Sequence, residues 1–236
     1  MMAIRGVLFD KDGTLIESDG TWIAVFKSFL SQVKKVGHDE VDALMAKAGY
    51  DIQNNKLIPG SVLAAGTSQE SIAIWWPELD QQGVREKYLL LNNEYAHLAQ
   101  DHMKPLMDLV PVLDQLHAMD LKLGVATNDT HRSATGHMHQ LGVHGYFVEI
   151  IGADSVAIAK PSGQMIKRFA EATGLQPHEI AMVGDNTHDM EEARAGGAGL
   201  AIGVLTGNAA REDIAHLADH ILDSIADIPA FLRRLN

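Results

Sequence analysis

The sequence contains no cysteine. Disulfides, thiol nucleophiles and cysteine-based zinc sites are therefore excluded, and the absence fits a reducing compartment. Positive charge is also scarce: 19 Lys and Arg stand against 31 Asp and Glu, a formal charge of −12. A field of that sign repels phosphate backbones and anionic lipid, which argues against nucleic-acid and membrane partners. Long apolar runs are missing as well. Residues 57–69 and 195–210 are long stretches without charge or histidine. Both are broken by glycine and are shorter than the ~20 apolar residues a spanning helix needs. At the N-terminus, Asp10, Lys11 and Asp12 cut the apolar run before a signal-peptide core forms. The expectation is a cytoplasmic protein, with no internal repeat and no low-complexity segment. Its 236 residues, 46% hydrophobic, allow one large domain or a core with a smaller appendage.

Residues 4–9 are short, apolar and β-branched in part, and they stop at Asp10-Lys11-Asp12-Gly13-Thr14. That pattern predicts a buried strand ending in a turn. From about residue 21 to 36 the chain changes character, with Trp22, Val25, Phe26, Phe29, Val33 and Val36 at helical spacing. Helical pattern continues at 40–48, 69–76 and 84–98, the last with Val84, Tyr88, Leu91, Tyr95 and Leu98 on one face. No strand is expected between 16 and 100. Beyond that, helices are predicted at 111–119, 130–141, 162–173 and 189–195. Strands are predicted at 121–126, 147–152, 180–183, 199–204 and 220–222, before a last helix at 225–235. Alternation at this spacing predicts an α/β fold. Its core is a doubly wound, Rossmann-like parallel sheet with residues 4–9 as a central strand. The expected domains are a core of residues 1–15 and 101–236 and a helical insertion of residues 16–100.

In open parallel sheets, ligands bind beyond the carboxyl ends of the strands, where the strand order reverses. Those ends carry Asp10 and Asp12, then Thr127-Asn128, then Lys160-Pro161 after the third strand, then Gly184-Asp185 with Asp189 four residues on. Three carboxylates converging on one edge repel one another unless a cation neutralises them or some protonate. All-oxygen ligands suit a hard cation, Mg²⁺. Lys160 and the Thr127 hydroxyl then suit an anionic substrate with several equatorial oxygens, which describes a phosphoryl group. Within Asp-x-Asp, one carboxylate can bind metal and attack phosphorus while the other protonates the leaving oxygen.

Phe9-Asp10-Lys11-Asp12-Gly13-Thr14-Leu15 resembles the first motif of the haloacid dehalogenase-like hydrolase superfamily. Val125-Ala126-Thr127-Asn128 is similar to its second, Lys160-Pro161 to its third, and Val183-Gly184-Asp185-Asn186-Thr187-His188-Asp189 to its fourth. The motifs occur in the family's order and, with the insertion, cover nearly the whole chain. The resemblance implies Asp10 as nucleophile and metal ligand. It makes Asp12 the general acid/base, with its backbone carbonyl on Mg²⁺. Thr127 and Asn128 become phosphate ligands, Lys160 steadies nucleophile and phosphoryl group, and Asp185 and Asp189 act at the metal. The helical insertion looks like the family's cap. Asp12 favours phosphate chemistry, because members that cleave carbon–halogen bonds lack a carboxylate there.

The segment from Gly203 to Ile228 is similar to the phosphoglycolate phosphatase group, whose substrate places a carboxylate beside the phosphate. The insertion holds a single arginine, Arg85, for that carboxylate, with Lys34, Lys35, Lys47 and Lys56 as other cations. The expected activity is hydrolysis of a small phosphorylated metabolite by a monomer or homodimer. A sugar-phosphate mutase, a phosphonate hydrolase and a phosphoryl-ligand-binding protein remain open alternatives. Lys11 receives no catalytic role. His137 and His139 read as surface residues on different helix faces, Asp189 doubles as a candidate helix N-cap, and Trp75-Trp76 reads as packing.

Overall fold

A computed structural model describes residues 3–95 and 102–235. The chain divides into two compact units, Met1–Glu17 with Pro105–Asn236, and Ser18–Lys104. Among the described residues the strands are β1 (Gly6–Phe9), β2 (Tyr50–Asp51), β3 (Lys56–Leu57), β4 (Lys122–Ala126), β5 (Phe147–Ile151), β6 (Ile180–Gly184), β7 (Leu200–Val204) and β8 (His220–Leu222).

Six of these build the sheet of the first unit, in the order β5-β4-β1-β6-β7-β8. Every neighbouring pair is parallel. Helices between the strands supply the crossovers, as parallel pairing requires. β1 is buried along its whole length, so its four residues, Gly-Val-Leu-Phe, carry no polar alternation. The chain builds outward from β1 through β4 to β5, then returns to the other side of β1 for β6, β7 and β8. The reversal falls between β1 and β6. Register makes it useful: Phe9 pairs with Val125 of β4 and with Val183 of β6, so three strands run out side by side. Leu8, Met182 and Ala126 pack there against Met165, Ile166 and Phe169 of the helix Gln164–Thr173.

The second unit is mainly helical, with Asp19–Lys34, His38–Ala48, Ser68–Trp75 and Gln81–Leu90 as its longer helices. Phe26, Phe29, Trp75 and Trp76 form the aromatic part of its core. The Phe26 and Trp75 rings meet edge-on at 5.4 Å, and the Trp75 indole N–H donates to the Leu44 carbonyl at 3.1 Å. Thr67 and Glu70 close a capping box at the start of Ser68–Trp75, each accepting the other's backbone N–H.

Two details differ from the sequence reading. A hairpin, β2 with β3, stands where no strand was expected. At two residues a side it is too short to produce alternation. The helix expected over 84–98 starts at Gln81, because the Asp80 carboxylate accepts the Gly83 N–H at 2.9 Å. It then passes into a π-helical turn at Leu91–Tyr95; Leu98 lies outside the described residues. Among the described residues no helix is long and apolar enough to cross a membrane.

Candidate active site

The loop after β1 is tightly wound. Leu15 and Ile16 both donate their backbone N–H to the Lys11 carbonyl, and Gly13 donates to that of Ile16. Gly13 has a φ of +85°, in the left-handed region that disfavours side chains. A Cβ there would also stand 2.6 Å from the Asp185 carboxyl group. Glycine at this position is therefore required by the turn and by the site together. The Thr206 hydroxyl, after β7, donates to the Gly13 carbonyl at 2.7 Å and ties the end of a strand two places along the sheet to this loop.

Asp10, Asp185 and Asp189 converge. One carboxylate oxygen from each lies within 4.8 Å of the others, and all three residues are buried. Asp185 leaves the end of β6, where its Oδ2 accepts the Asn208 N–H at 3.2 Å. Asp189 sits in the first turn of the helix Thr187–Gly196, whose N-cap is Asn186. The expectation of Asp189 as N-cap is corrected: it is the third helical residue, and its Oδ2 accepts the Asn186 N–H at 3.1 Å. Its other oxygen, Oδ1, accepts from the Lys160 ammonium at 2.6 Å, and the same ammonium donates to Asp10 Oδ1 at 2.6 Å.

Three buried carboxylates thus gather beside one buried ammonium, which bonds two of them, Asp10 and Asp189. Burial pushes the Asp10 carboxyl up to about 7, against the lowering by Lys160 and with help from Asp189 and Asp12. Asp185 is also raised well above the usual carboxylate range, by burial first and then by Asp10 and Asp189. Burial alone would lower Lys160, but Asp10 and Asp189 outweigh it and hold the ammonium charged. The cluster is short of positive charge. All-oxygen donors at this separation, with an uncompensated negative excess, fit a hard divalent cation such as Mg²⁺.

Thr127 and Asn128 follow β4. Thr127 is buried, and its backbone N–H donates to Ile151 across to β5. Its hydroxyl oxygen accepts the Asp129 N–H at 3.1 Å. The Asn128 side chain is engaged with the Lys160 backbone in both directions: Nδ2 donates to the carbonyl at 3.2 Å, and Oδ1 accepts the N–H at 3.0 Å. Asn128 therefore fixes the segment that carries Lys160.

Asp12 lies outside the buried triad. Its Oδ2 is 2.7 Å from the ammonium of Lys11, a side chain with no solvent exposure. Lys11 also reaches Asp129 Oδ2 at 3.2 Å and His137 Nδ1 at 3.3 Å. Burial would lower this lysine, but Asp12 and Asp129 outweigh it and raise it. His137 is pushed down to about 3 by burial first and then by the Lys11 charge, so its ring is neutral. The reading of His137 as a surface residue is overturned: it is wholly buried, whereas His139 is exposed. A signal was available, since Ala134 and Met138 share its buried helix face.

Glu192 also escaped sequence reasoning. Three residues beyond Asp189 and fully buried, it accepts the backbone N–H groups of Gly163 (2.6 Å), Met165 (2.8 Å) and Ile166 (3.3 Å). A carboxylate from one helix thereby holds the N-terminal turn of Gln164–Thr173, just beyond Lys160, where orphan donors and the helix dipole favour it.

The family described as haloacid dehalogenase-like hydrolase matches residues 4–197. A phosphoglycolate phosphatase from Salmonella typhimurium is 28% identical over 232 residues, covering 95% of this chain and 91% of its own. Among solved structures, one described as a predicted phosphatase from Clostridium acetobutylicum superposes with a TM-score of 0.76 at 18% identity, covering 98% of this chain and 99% of its own. CbbY from Rhodobacter sphaeroides, in complex with phosphate, gives a TM-score of 0.71 at 18% identity, covering 95% and 96%.

Proposed function

Because the chain belongs to the haloacid dehalogenase-like hydrolases, we propose that it is a Mg²⁺-dependent phosphatase that carries the phosphoryl group of a small phosphomonoester on Asp10. The observation that carries this reading is the buried meeting of Asp10, Asp185 and Asp189 with Lys160 at the strand ends.

Asp10, Asp185 and Asp189, with the Asp12 backbone carbonyl, would hold Mg²⁺, which supplies Lewis-acid charge at the phosphoryl oxygens. The chain's own groups do the rest. A carboxylate oxygen of Asp10 attacks phosphorus in line with the ester oxygen, and the ester P–O bond breaks. Asp12 gives its proton to the departing oxygen, so the alcohol leaves neutral. Water then attacks phosphorus, Asp12 takes its proton, and inorganic phosphate leaves with Asp10 restored. Lys160 neutralises charge on the transferring group, and the Thr127 hydroxyl and the Asn128 backbone orient its oxygens.

A phosphoglycolate-like substrate is favoured by the similarity to the phosphoglycolate phosphatase group from Gly203 to Ile228 and by the Salmonella typhimurium relative of that name. In this reading the helical unit is the family's cap.

The test is phosphate release from a panel of small phosphomonoesters, including 2-phosphoglycolate, with and without Mg²⁺. Mg²⁺-dependent release, highest for 2-phosphoglycolate, is expected. An isomer without net phosphate would point to a mutase. Schiff-base trapping on a lysine would point to phosphonate cleavage. Binding without turnover would leave a phosphoryl-ligand-binding protein.

A further inference from the structure

Lys11 is a buried charge that the chemistry above leaves unused. A lysine ammonium has three N–H donors and no acceptor. Three acceptors surround this one: Asp12 Oδ2 at 2.7 Å, Asp129 Oδ2 at 3.2 Å and His137 Nδ1 at 3.3 Å. Two of them come from elsewhere in the core, Asp129 from the loop after β4 and His137 from the helix His131–Gln140. Asp129 is itself pinned, its Oδ1 accepting the Thr130 N–H at 2.6 Å and its own N–H donating to the Thr127 hydroxyl. The ammonium is thus fixed by parts of the fold that include the Thr127 loop. Its shortest contact is to Asp12.

We propose that Lys11 is a positioning residue for the general acid, holding one oxygen of the Asp12 carboxyl group so that the proton carried by the other passes to the departing oxygen, with Asp129 and His137 as its anchor. This rests on the phosphatase reading of the same site. Simple charge compensation for buried Asp129 would account for the 3.2 Å contact but leaves the shorter one to Asp12 without a purpose.

The consequence is a dependence on the leaving group. An alkyl phosphate must depart with a proton, whereas p-nitrophenyl phosphate releases a stable phenolate and needs little help from the acid. Comparing kcat/KM isolates this step, because it reports events up to departure of the alcohol and not the later hydrolysis at Asp10. The experiment measures kcat/KM on 2-phosphoglycolate and on p-nitrophenyl phosphate for the wild type, Lys11→Met and Lys11→Met/Asp129→Asn. The double variant removes the buried anion along with its cation, and thermal unfolding verifies that each protein is folded. The expected result is a loss on the alkyl ester roughly tenfold or more greater than on the aryl ester, in the same direction as Asp12→Asn. Equal losses on both esters in a folded variant would overturn the proposal and leave the phosphatase reading standing. A wild type that releases phosphate from neither ester would instead remove the phosphatase reading, and this proposal with it.

Discussion

Asp10 and Lys160 are 150 residues apart in the chain, and their side chains meet at 2.6 Å. Three parts of the core produce the meeting. β1 delivers Asp10, the Asn128 amide clamps the Lys160 backbone, and Asp189 holds the same ammonium from the helix after β6. In the proposed mechanism this lysine would stand where negative charge moves from Asp10 onto the transferring group.

Replacing that charge should be expensive for catalysis. Lys160→Met is expected to lower kcat/KM for the preferred ester by about 10²–10³-fold, the usual cost of losing one preorganised electrostatic partner. Steady-state kinetics at saturating Mg²⁺ check this; a loss below about tenfold would mean that Lys160 balances charge in the resting site only.

Glu192 tests the support behind the site. Glu192→Gln turns an acceptor-only side chain into one whose amide N–H₂ faces a backbone donor. A loss of about 2–3 kcal/mol in unfolding free energy is expected from the unsatisfied buried group. Neighbouring Glu191 is exposed, so Glu191→Gln should stay within about 0.5 kcal/mol of wild type. Denaturant unfolding of both variants gives the comparison.

The raised carboxyls make the effect of Mg²⁺ depend on pH, with a definite sign. Asp10 is pushed up to about 7 and Asp185 is raised as well, so between their unfolded and folded values the folded state binds more protons. Metal-free stability contributed by these groups is therefore highest in acid and falls as pH rises through that window. Mg²⁺ binds the deprotonated carboxylates, so its stabilisation grows in the same direction. Thermal unfolding with and without Mg²⁺ from about pH 5 to about pH 8 should show a widening difference. Asp185→Asn should remove most of that difference, and should raise the melting temperature of the metal-free protein at the alkaline end.

The sequence carried much of this architecture for physical reasons. Residues 6–9 and 180–183 are buried on both faces and read as strands without any partner in view. Asp10, Thr127, Lys160 and Asp185 were legible because each follows a strand, and the parallel register brings β1, β4 and β6 to one edge. The rest depends on contacts that no local pattern holds. Nothing local gives Lys11 a role until Asp129 and His137 are placed around it. Glu192 is one acid among several on its helix, and only the approach of Gly163 gives it donors. Asp189 missed the N-cap by three positions because Asn186 begins the helix earlier than periodicity showed. The β2–β3 hairpin is too short to leave a trace in the sequence.

The most direct test of the account is to quench the protein in acid during turnover, with Mg²⁺ and an isotopically labelled phosphomonoester, and to map the label by peptide mass spectrometry. The account predicts an acid-stable phosphoryl group on the peptide containing Asp10, labile to hydroxylamine and absent from Asp10→Asn. Label on another residue, or full turnover by Asp10→Asn, would contradict it.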